Sequence, residues 1–567
     1  MLIGDILRRQ ALPTGRPNKP ALLYEGAAVT YAQLNAQANR LASALLGLGV
    51  RRGDRVALLG RNSPEWVAAY YAAAKCGAIL VPLNFWYRTG EVAYVLQDSG
   101  ARICLLASAF AGVVAPLRSS GRGWGGEAAA GLPARPADAT AIPRPVQRDE
   151  QVPVTRWIWL DRRPDASAHP ESAGDPTVAE LTAGLPDAEP EPPDGPLAET
   201  DPHIILYTSG TTGFPKGAVL SHRAHVLHAA TFALYTRAVE EDVYLNVYPL
   251  FHTGGTDCAV LPYHYAGATV ALLPDPKPEA VLAAMEAYRV TAMMAVPTVW
   301  RWLVEHPDRQ RRDLSAFRRA MGSSDAMPRD LLEQVVEAFG ASWTQTYGLT
   351  EAGCILTYLS PADFRRKIGS AGKPHVAAEL LIADPALAGD PQWPLRPEHR
   401  LPPGETGEIV ARTEHLMDGY WQKPAQTAET IRHGWLRTGD LGRLDEDGYL
   451  YIVGRLKDVI ISGGEKIYPA EVEPVLRAYP GVQELALVGV PDREWGESVL
   501  AVIVPAPGAV VDADAFKAWA RRQVAGYKAP RHVVFVESLP RTTGTGKVQK
   551  ALLREQFRDQ FGTGEGQ

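Results

Sequence analysis

Between Tyr207 and Gly217 the chain reads Tyr-Thr-Ser-Gly-Thr-Thr-Gly-Phe-Pro-Lys-Gly. Hydroxyl side chains on Thr208, Ser209, Thr211 and Thr212 alternate with Gly210 and Gly213, and Lys216 follows. Glycine accepts positive φ, so neighbouring backbone N–H groups can turn inward together. A nest of amides with hydroxyls and an ammonium around it is a cradle for a polyphosphate. The apolar run His203–Leu206 before it reads as a buried strand. The frame is not Walker A, which needs a glycine, four residues, then Gly-Lys-Ser/Thr. Neither Lys216 nor Lys547 sits in that frame. Taken alone, such a loop is a flexible surface turn, so the remaining chemistry-bearing stretches decide.

In Gln345-Thr346-Tyr347-Gly348-Leu349-Thr350-Glu351, an aromatic ring can stack on a purine, and a carboxylate beside phosphates suits Mg2+, which prefers oxygen ligands. Alone, the stretch is a glycine turn with a helix-capping box. Asp440 ends Trp435-Leu-Arg-Thr-Gly-Asp, and a carboxylate can accept both hydroxyls of a ribose; an aspartate beside glycine is also common in turns. Arg455 carries donors suited to ribose or phosphate oxygens. It shares a charged, linker-like stretch with Lys457, and Ser462-Gly-Gly464-Glu-Lys466 follows. Glycines there leave room for a narrow chain to pass, or make a tight hairpin turn. Lys547 closes Pro540-Arg-Thr-Thr-Gly-Thr-Gly-Lys; an exposed tail lysine is the usual case. Phe251-His252 precedes Thr-Gly-Gly, and a structural histidine would read the same.

In content and order these stretches, from about Tyr31 to Lys550, resemble the adenylate-forming superfamily, which comprises acyl-CoA synthetases, luciferases and peptide-synthetase adenylation domains. The resemblance is closest to acyl-CoA synthetases. It implies ATP, Mg2+ and coenzyme A. A small carboxylic acid would be activated to acyl-AMP with release of pyrophosphate, then passed to the CoA thiol. A carrier-protein phosphopantetheine or an amine is the alternative acceptor. By resemblance residues 208–213 with Lys216 form the phosphate loop, and Thr208 and Glu351 face the metal. Residues 345–350 line the nucleotide, with Tyr347 on the base and Thr350 at the α-phosphate. Asp440 takes the ribose, and Arg455 the ribose or phosphates. Lys457 is the hinge of a mobile small domain. Gly464 and Lys466 belong to the pantetheine tunnel, and Lys547 is the adenylation lysine. An ammonium about 4 Å from a phosphate charge attracts it by roughly 4 kcal/mol at an effective dielectric of ~20.

His252 stands where peptide-synthetase domains hold an aspartate for an α-amino group. An acid without that group, fatty or aryl, is therefore favoured, with His252, Ser323 and Gly348 at its pocket. Gly322-Ser323-Ser324-Asp325 departs from the family's Ser-Gly-Gly-Ala. The carry-over puts Ser324, Asp325 and Ala326 near adenine, and the added polarity argues against a simple long-chain fatty acid.

What must position these residues is a large α/β protein. A chain of 567 residues exceeds one core, so more than one domain is expected. Net charge of −6 gives no basic field for nucleic acid. Four scattered cysteines, at 76, 104, 258 and 354, contain no Cys-x-x-Cys pair, so neither a disulfide framework nor a zinc site is expected, and a reducing, cytoplasmic setting fits. The charged start does not read as a signal peptide. The longest apolar stretch, Trp66–Pro82, includes Lys75 and Gly77 and reads as a helix entering a strand rather than a membrane span. The resemblance also allows a homodimer.

Leu34, Ala38, Leu41, Leu45 and Leu48 recur at steps of three and four, predicting a helix from Thr30. Strands are expected at Arg55–Leu59, Ala78–Leu83, Ala101–Leu106, Asn246–Leu250, Ala268–Leu273 and Ala292–Val296. Helices are expected from Ser63, Ser221, Thr298 and Pro328. Such alternation means βαβ units and a mostly parallel sheet. Ser119–Ala198, rich in Pro, Ala and Gly, reads as a partly irregular surface excursion with one strand-like stretch, Trp157–Leu160. Gly404–Gly454 shifts to short strands, a small barrel-like β region. The expected organisation is a large N-terminal domain of parallel and mixed sheets with flanking helices, residues 1–454, and a small α+β lid, residues 455–567.

Overall fold

A computed structural model describes residues 1–119, 152–208, 215–323, 327–541 and 547–562. The chain divides into two compact units, Met1–Glu379 with Ala411–Leu436, and Leu380–Val410 with Arg437–Gln567.

Local sequence sets the first helices. The Thr30 hydroxyl accepts a hydrogen bond from the Gln33 amide while the Gln33 side-chain oxygen accepts one from the Thr30 amide, a capping box that starts helix Tyr31–Gly47. Ser63 caps helix Pro64–Cys76 by accepting from the Trp66 amide at 3.2 Å, with Pro64 in the first turn. Gly77 closes that helix at φ 79°, a left-handed conformation glycine adopts without cost.

Among the described residues the first unit carries two large sheets. One has nine strands in the order Lys373–Pro374, Thr357–Leu359, Ser342–Tyr347, Arg319–Gly322, Ala292–Ala295, Val243–Asn246, Thr269–Leu272, Pro20–Tyr24, Ala27–Thr30. Its centre is parallel and its edges antiparallel. The other has seven, Gly419–Tyr420, Lys216–Ser221, Pro202–Thr208, Ile79–Pro82, Arg55–Leu59, Ile103–Leu106, Arg156–Trp159. The α/β class and mixed sheets are as expected from the alternation of helices and strands.

Three readings need correction. The strand expected at Asn246–Leu250 is Val243–Asn246. It ends because the Asn246 side chain accepts from the Tyr248 amide at 3.1 Å, turning the chain, and Pro249 offers no N–H. The end of the glycine-rich loop is itself a strand. Lys216–Ser221 returns antiparallel to Pro202–Thr208, with Thr208 opposite Lys216, the two strands of a β-hairpin.

In the excursion the strand expected at Trp157–Leu160 is displaced by one residue. Arg156–Trp159 is a buried edge strand, parallel to Ile103–Leu106. Further on, Glu189 reaches the buried Lys75 ammonium at 2.6 Å. A buried cation demands such a partner, and the demand fixes a segment that its own side chains would not.

In the second unit Gly496–Pro505 lies between Val482–Asp492 and Ile460–Ser462, with His532–Phe535 pairing parallel to it and Glu465–Ile467 at the edge. Val472, Leu476 and Phe516, from helices Pro469–Leu476 and Ala513–Gln523, join one apolar cluster with Leu485 and Ile503. Leu553 and Phe557, from helix Lys550–Gly562, join another with Val488 and Val502. The strands Ala378–Ala383, Gly407–Thr413, Ile431–Arg432, Trp435–Leu444 and Leu450–Arg455 make a separate five-stranded sheet, not confined to the second unit.

Histidine is unusually frequent in the buried polar set of the first unit. Burial pushes the imidazoles of His222, His264 and His375 down to about 4. His264 Nε2 donates to the Ala21 carbonyl at 3.1 Å, leaving Nδ1 to accept from the Tyr71 hydroxyl at 2.9 Å. Each folded-state value lies below the unfolded one of about 6.5. The native state therefore binds fewer protons, and stability present above about pH 6.5 is lost as pH falls toward 4, by about 1.4 kcal/mol per group per pH unit. Denaturant unfolding between about pH 7 and pH 5 should show this loss, and His264→Gln should flatten the slope by about one proton. A free energy independent of pH across that window would contradict it.

Candidate functional site

The end of the hairpin brings three sequence-separated segments together. Glu351 lies in the short helical turn Thr350–Ala352, just past strand Ser342–Tyr347 of the nine-stranded sheet. Its Oε1 is 3.4 Å from the Thr208 hydroxyl, at the last residue of the hairpin's first strand. The same oxygen accepts from the Tyr420 hydroxyl at 2.9 Å. Tyr420 comes from a two-residue strand, Gly419–Tyr420, laid on Ala218 and Val219 of the hairpin's second strand. Burial and the neighbouring Glu351 carboxylate push the Tyr420 phenol well above its ordinary range, so it stays a donor. The Lys216 ammonium stands 5.1 Å from the centre of the Tyr420 ring, a cation–π contact.

The hairpin is held from outside as well. Tyr94 donates to the Pro215 carbonyl at 2.9 Å, and Tyr207 donates to Asp98 at 2.7 Å, which also pairs with Lys423 at 2.5 Å. Tyr420, Asp98 and Lys423 carry no motif signal and escaped the sequence reading. A glycine-tyrosine pair in a region of short strands was the one available hint.

Gln345, Thr346 and Tyr347 lie on a buried strand, and the Thr346 hydroxyl donates to the Gly322 carbonyl at 3.2 Å. Gly348 is obligatory, because a Cβ there would stand 1.8 Å from the Cys354 carbonyl oxygen. The Leu349 carbonyl accepts from the amides of Ala352 and Cys354, closing the turn that presents Thr350 and Glu351. His252 caps the short helix Thr253–Gly255, its Nδ1 accepting from the Gly254 amide at 3.1 Å. The ring of Phe251, beside it, meets Phe85 at 5.2 Å and Trp86 at 5.8 Å, both edge to face. Ser323 is buried at the end of strand Arg319–Gly322. Ser209, Gly210, Thr211, Thr212, Gly213, Ser324, Asp325 and Ala326 lie outside the described residues.

The other candidates belong to the second unit. Asp440 and Arg455 face each other across paired strands, carboxylate to guanidinium at 3.3 Å. The Lys457 carbonyl accepts from Arg554 at 3.1 Å. Gly463 and Gly464, both at positive φ, form the two-residue turn between Ile460–Ser462 and Glu465–Ile467, so Lys466 sits on a hairpin strand. Lys547 is exposed, next to the bridge of Val548 with Arg541.

Set beside known proteins, residues 7–421 match the profile of the AMP-binding enzyme family, and residues 471–547 that of the AMP-binding enzyme C-terminal domain. A feruloyl-CoA synthase from Amycolatopsis sp is 38% identical over 541 residues, covering 95% of this chain and 96% of that one. An indoleacetate–CoA ligase from Aromatoleum aromaticum is 36% identical, covering 95% of each. Among solved structures, the anthranilate CoA ligase AuaEII in complex with anthranoyl-AMP superposes with a TM-score of 0.82 at 28% identity, covering 99% of this chain and 98% of that one.

Lys457 is the perturbed cation of the set. Burial, and then repulsion from Arg455, push its ammonium down to about 8. The unfolded value is about 10.4, so the native state holds fewer protons between the two values. The contribution of Lys457 to stability therefore grows as pH rises across that window. Nuclear magnetic resonance of 13Cε-labelled lysine should show one resonance, absent in Lys457→Arg, with its midpoint near pH 8. A Lys457 midpoint at the ordinary value would remove the perturbation.

Proposed function

The chain belongs to the AMP-binding enzyme family and is an AMP-forming acid–CoA ligase, and we propose that its acid is an aryl-substituted carboxylic acid without an α-amino group. The observation that carries the reading is the Glu351 carboxylate placed against the Thr208 hydroxyl at the mouth of the hairpin. Paired oxygen donors of this kind suit Mg2+. When bound there the ion would neutralise triphosphate charge.

In the first step a carboxylate oxygen of the acid attacks the α-phosphorus of ATP, and pyrophosphate leaves. In the second a thiolate sulfur of CoA attacks the acyl carbon, and AMP leaves. Thr208, Lys216 and the hairpin tip hold the phosphates, Tyr347 stacks on the base, and Thr350 touches the α-phosphate. Asp440 binds the ribose, with Arg455 beside it, and Lys547 stabilises the charge that builds on the transferring group. Lys457 is the hinge of a small domain, residues 455–567, that exchanges Lys547 for the Gly464–Lys466 hairpin between steps. Holding both reactants in line contributes up to roughly 7–11 kcal/mol.

Two features favour an aryl acid. The Phe251, Phe85 and Trp86 rings cluster beside His252, and edge-to-face contact with an aromatic substrate is worth about 0.5–1.5 kcal/mol beyond burial. The similar proteins named above carry feruloyl, indoleacetate and anthranilate in their names.

Pyrophosphate release across aryl, fatty and amino acids tests the class. Aryl acids should lead by about tenfold or more in kcat/KM, a difference of 1.4 kcal/mol; equal rates with fatty acids would sink the aryl assignment. Parallel arms with CoA and with a phosphopantetheinyl carrier protein identify the acceptor. Lys547→Ala should lower acyl-AMP formation by about 10²–10³ while sparing thioester formation from supplied acyl-AMP. Equal loss in both steps would refute the division of labour.

A further inference from the structure

Behind the Glu351 turn the fold gathers two cysteines that lie 96 positions apart in the sequence. The sulfurs of Cys258 and Cys354 are 3.3 Å apart, and a ring nitrogen of His228 lies within 4.8 Å of both. All three side chains are buried. We propose that Cys258, Cys354 and His228 bind a divalent, thiophilic metal ion, zinc by preference, as a structural site distinct from the oxygen pair at Thr208 and Glu351.

The donor set has the right chemistry, since thiolates with imidazole select zinc over the hard cations that suit carboxylate and hydroxyl oxygens. The imidazole is already oriented. His228 Nε2 donates to the Asp257 carbonyl at 3.0 Å, so Nε2 carries the proton and Nδ1 carries the lone pair. That Nδ1 is buried with no hydrogen-bond partner among the described residues. A metal-binding histidine commonly donates its other N–H to a carbonyl in this way, and an orphaned buried lone pair costs free energy unless something accepts it.

The cysteines are placed with equal specificity. Cys354 sits at φ 102°, a conformation that costs a non-glycine residue of order 1–3 kcal/mol. Close packing keeps it there. Its carbonyl oxygen fills the space a Cβ on Gly348 would need, and a Cβ on Gly353 would stand 2.1 Å from the His415 carbonyl oxygen. Cys258 belongs to the helical segment Thr256–Val260, which continues the chain just after His252.

Charge selects the ion. Two thiols lose two protons on binding, and Zn2+ with two thiolates and a neutral imidazole is neutral overall. A monovalent ion would leave a net negative charge in a dry core, at high cost. The consequence is mechanical: the ion would tie the segment after His252 to the turn that presents Glu351. The site stands or falls apart from the ligase reading.

The chain expressed with zinc in the medium should retain about one zinc per chain by mass spectrometry. Cys258→Ser and Cys354→Ser should each lower that content tenfold or more, with thermal melting to confirm folding. The metal-stripped wild-type chain titrated with Co2+ should develop thiolate-to-cobalt charge-transfer absorption that saturates at one equivalent and is displaced by Zn2+, a reading that needs no variant. A wild-type chain that takes up neither ion, variants that keep their zinc, or an intact mass two hydrogens lighter that maps to a Cys258–Cys354 disulfide would each overturn the proposal.

Discussion

If the hairpin of Thr208 and Lys216 holds phosphates, as proposed, the Glu351 carboxylate beside it is a conflict that the rest of the site has to resolve. Glu351 and a phosphate charge about 4 Å apart would repel by roughly 4 kcal/mol at an effective dielectric of ~20. The arrangement is productive only with a cation between them. The fold invests in keeping the conflict in place. The nine-stranded sheet delivers Glu351 through the Gly348–Cys354 turn, where no side chain fits at Gly348. The seven-stranded sheet delivers Thr208 and Tyr420 from the two strands that flank Lys216–Ser221. Their two hydroxyls hold one carboxylate oxygen, and the phenol, kept protonated by burial and by Glu351 itself, donates to it.

The strands on either side of the glycine-rich stretch, Pro202–Thr208 and Lys216–Ser221, are paired antiparallel. They are registered residue by residue, and Lys216 lies directly opposite Thr208. The ammonium is further fixed over the Tyr420 ring. Lys547 belongs to the other compact unit, whose apolar clusters are its own.

Much of this was legible in the sequence because it is local. Helix caps at Thr30, Ser63 and Ser221, the apolar periodicity of helix Tyr31–Gly47, and the motif stretches around Thr208 and Glu351 each lie within a short window. Even Gly464 carried its own signal, since paired glycines between short strands make a tight turn. What stayed hidden depends on distant partners. Nothing near Tyr420 announces that its hydroxyl meets Glu351, 69 positions away. Lys75 gave no sign that it would anchor Glu189 inside a stretch whose composition reads as irregular. Cys258 and Cys354 match no spacing pattern because the fold, not the chain, makes them neighbours. The strand Val243–Asn246 was displaced in the reading for a different reason: a side chain competing for a backbone amide ended it early.

The interior behind the site is polar yet close to uncharged, and this determines what field the substrates meet. His225 and Asp257 approach to 3.3 Å in full burial. Burial pushes the imidazole down to about 3 and the carboxyl up to about 8, so near neutral pH the contact is between neutral groups, not an ion pair. His222, His264 and His375 are likewise neutral. Neutral imidazoles supply directional bonds for a close-packed interior without the desolvation penalty of buried ions. They also add no long-range positive potential that would hold the triphosphate regardless of its pose. On the proposed reading, the attraction felt by phosphates in this unit would come from groups at the hairpin, Lys216 foremost, together with any cation that Thr208 and Glu351 hold. Local cations discriminate between poses that differ by an ångström, whereas a diffuse positive interior would stabilise all of them alike, and only the former can lower a barrier more than it deepens binding.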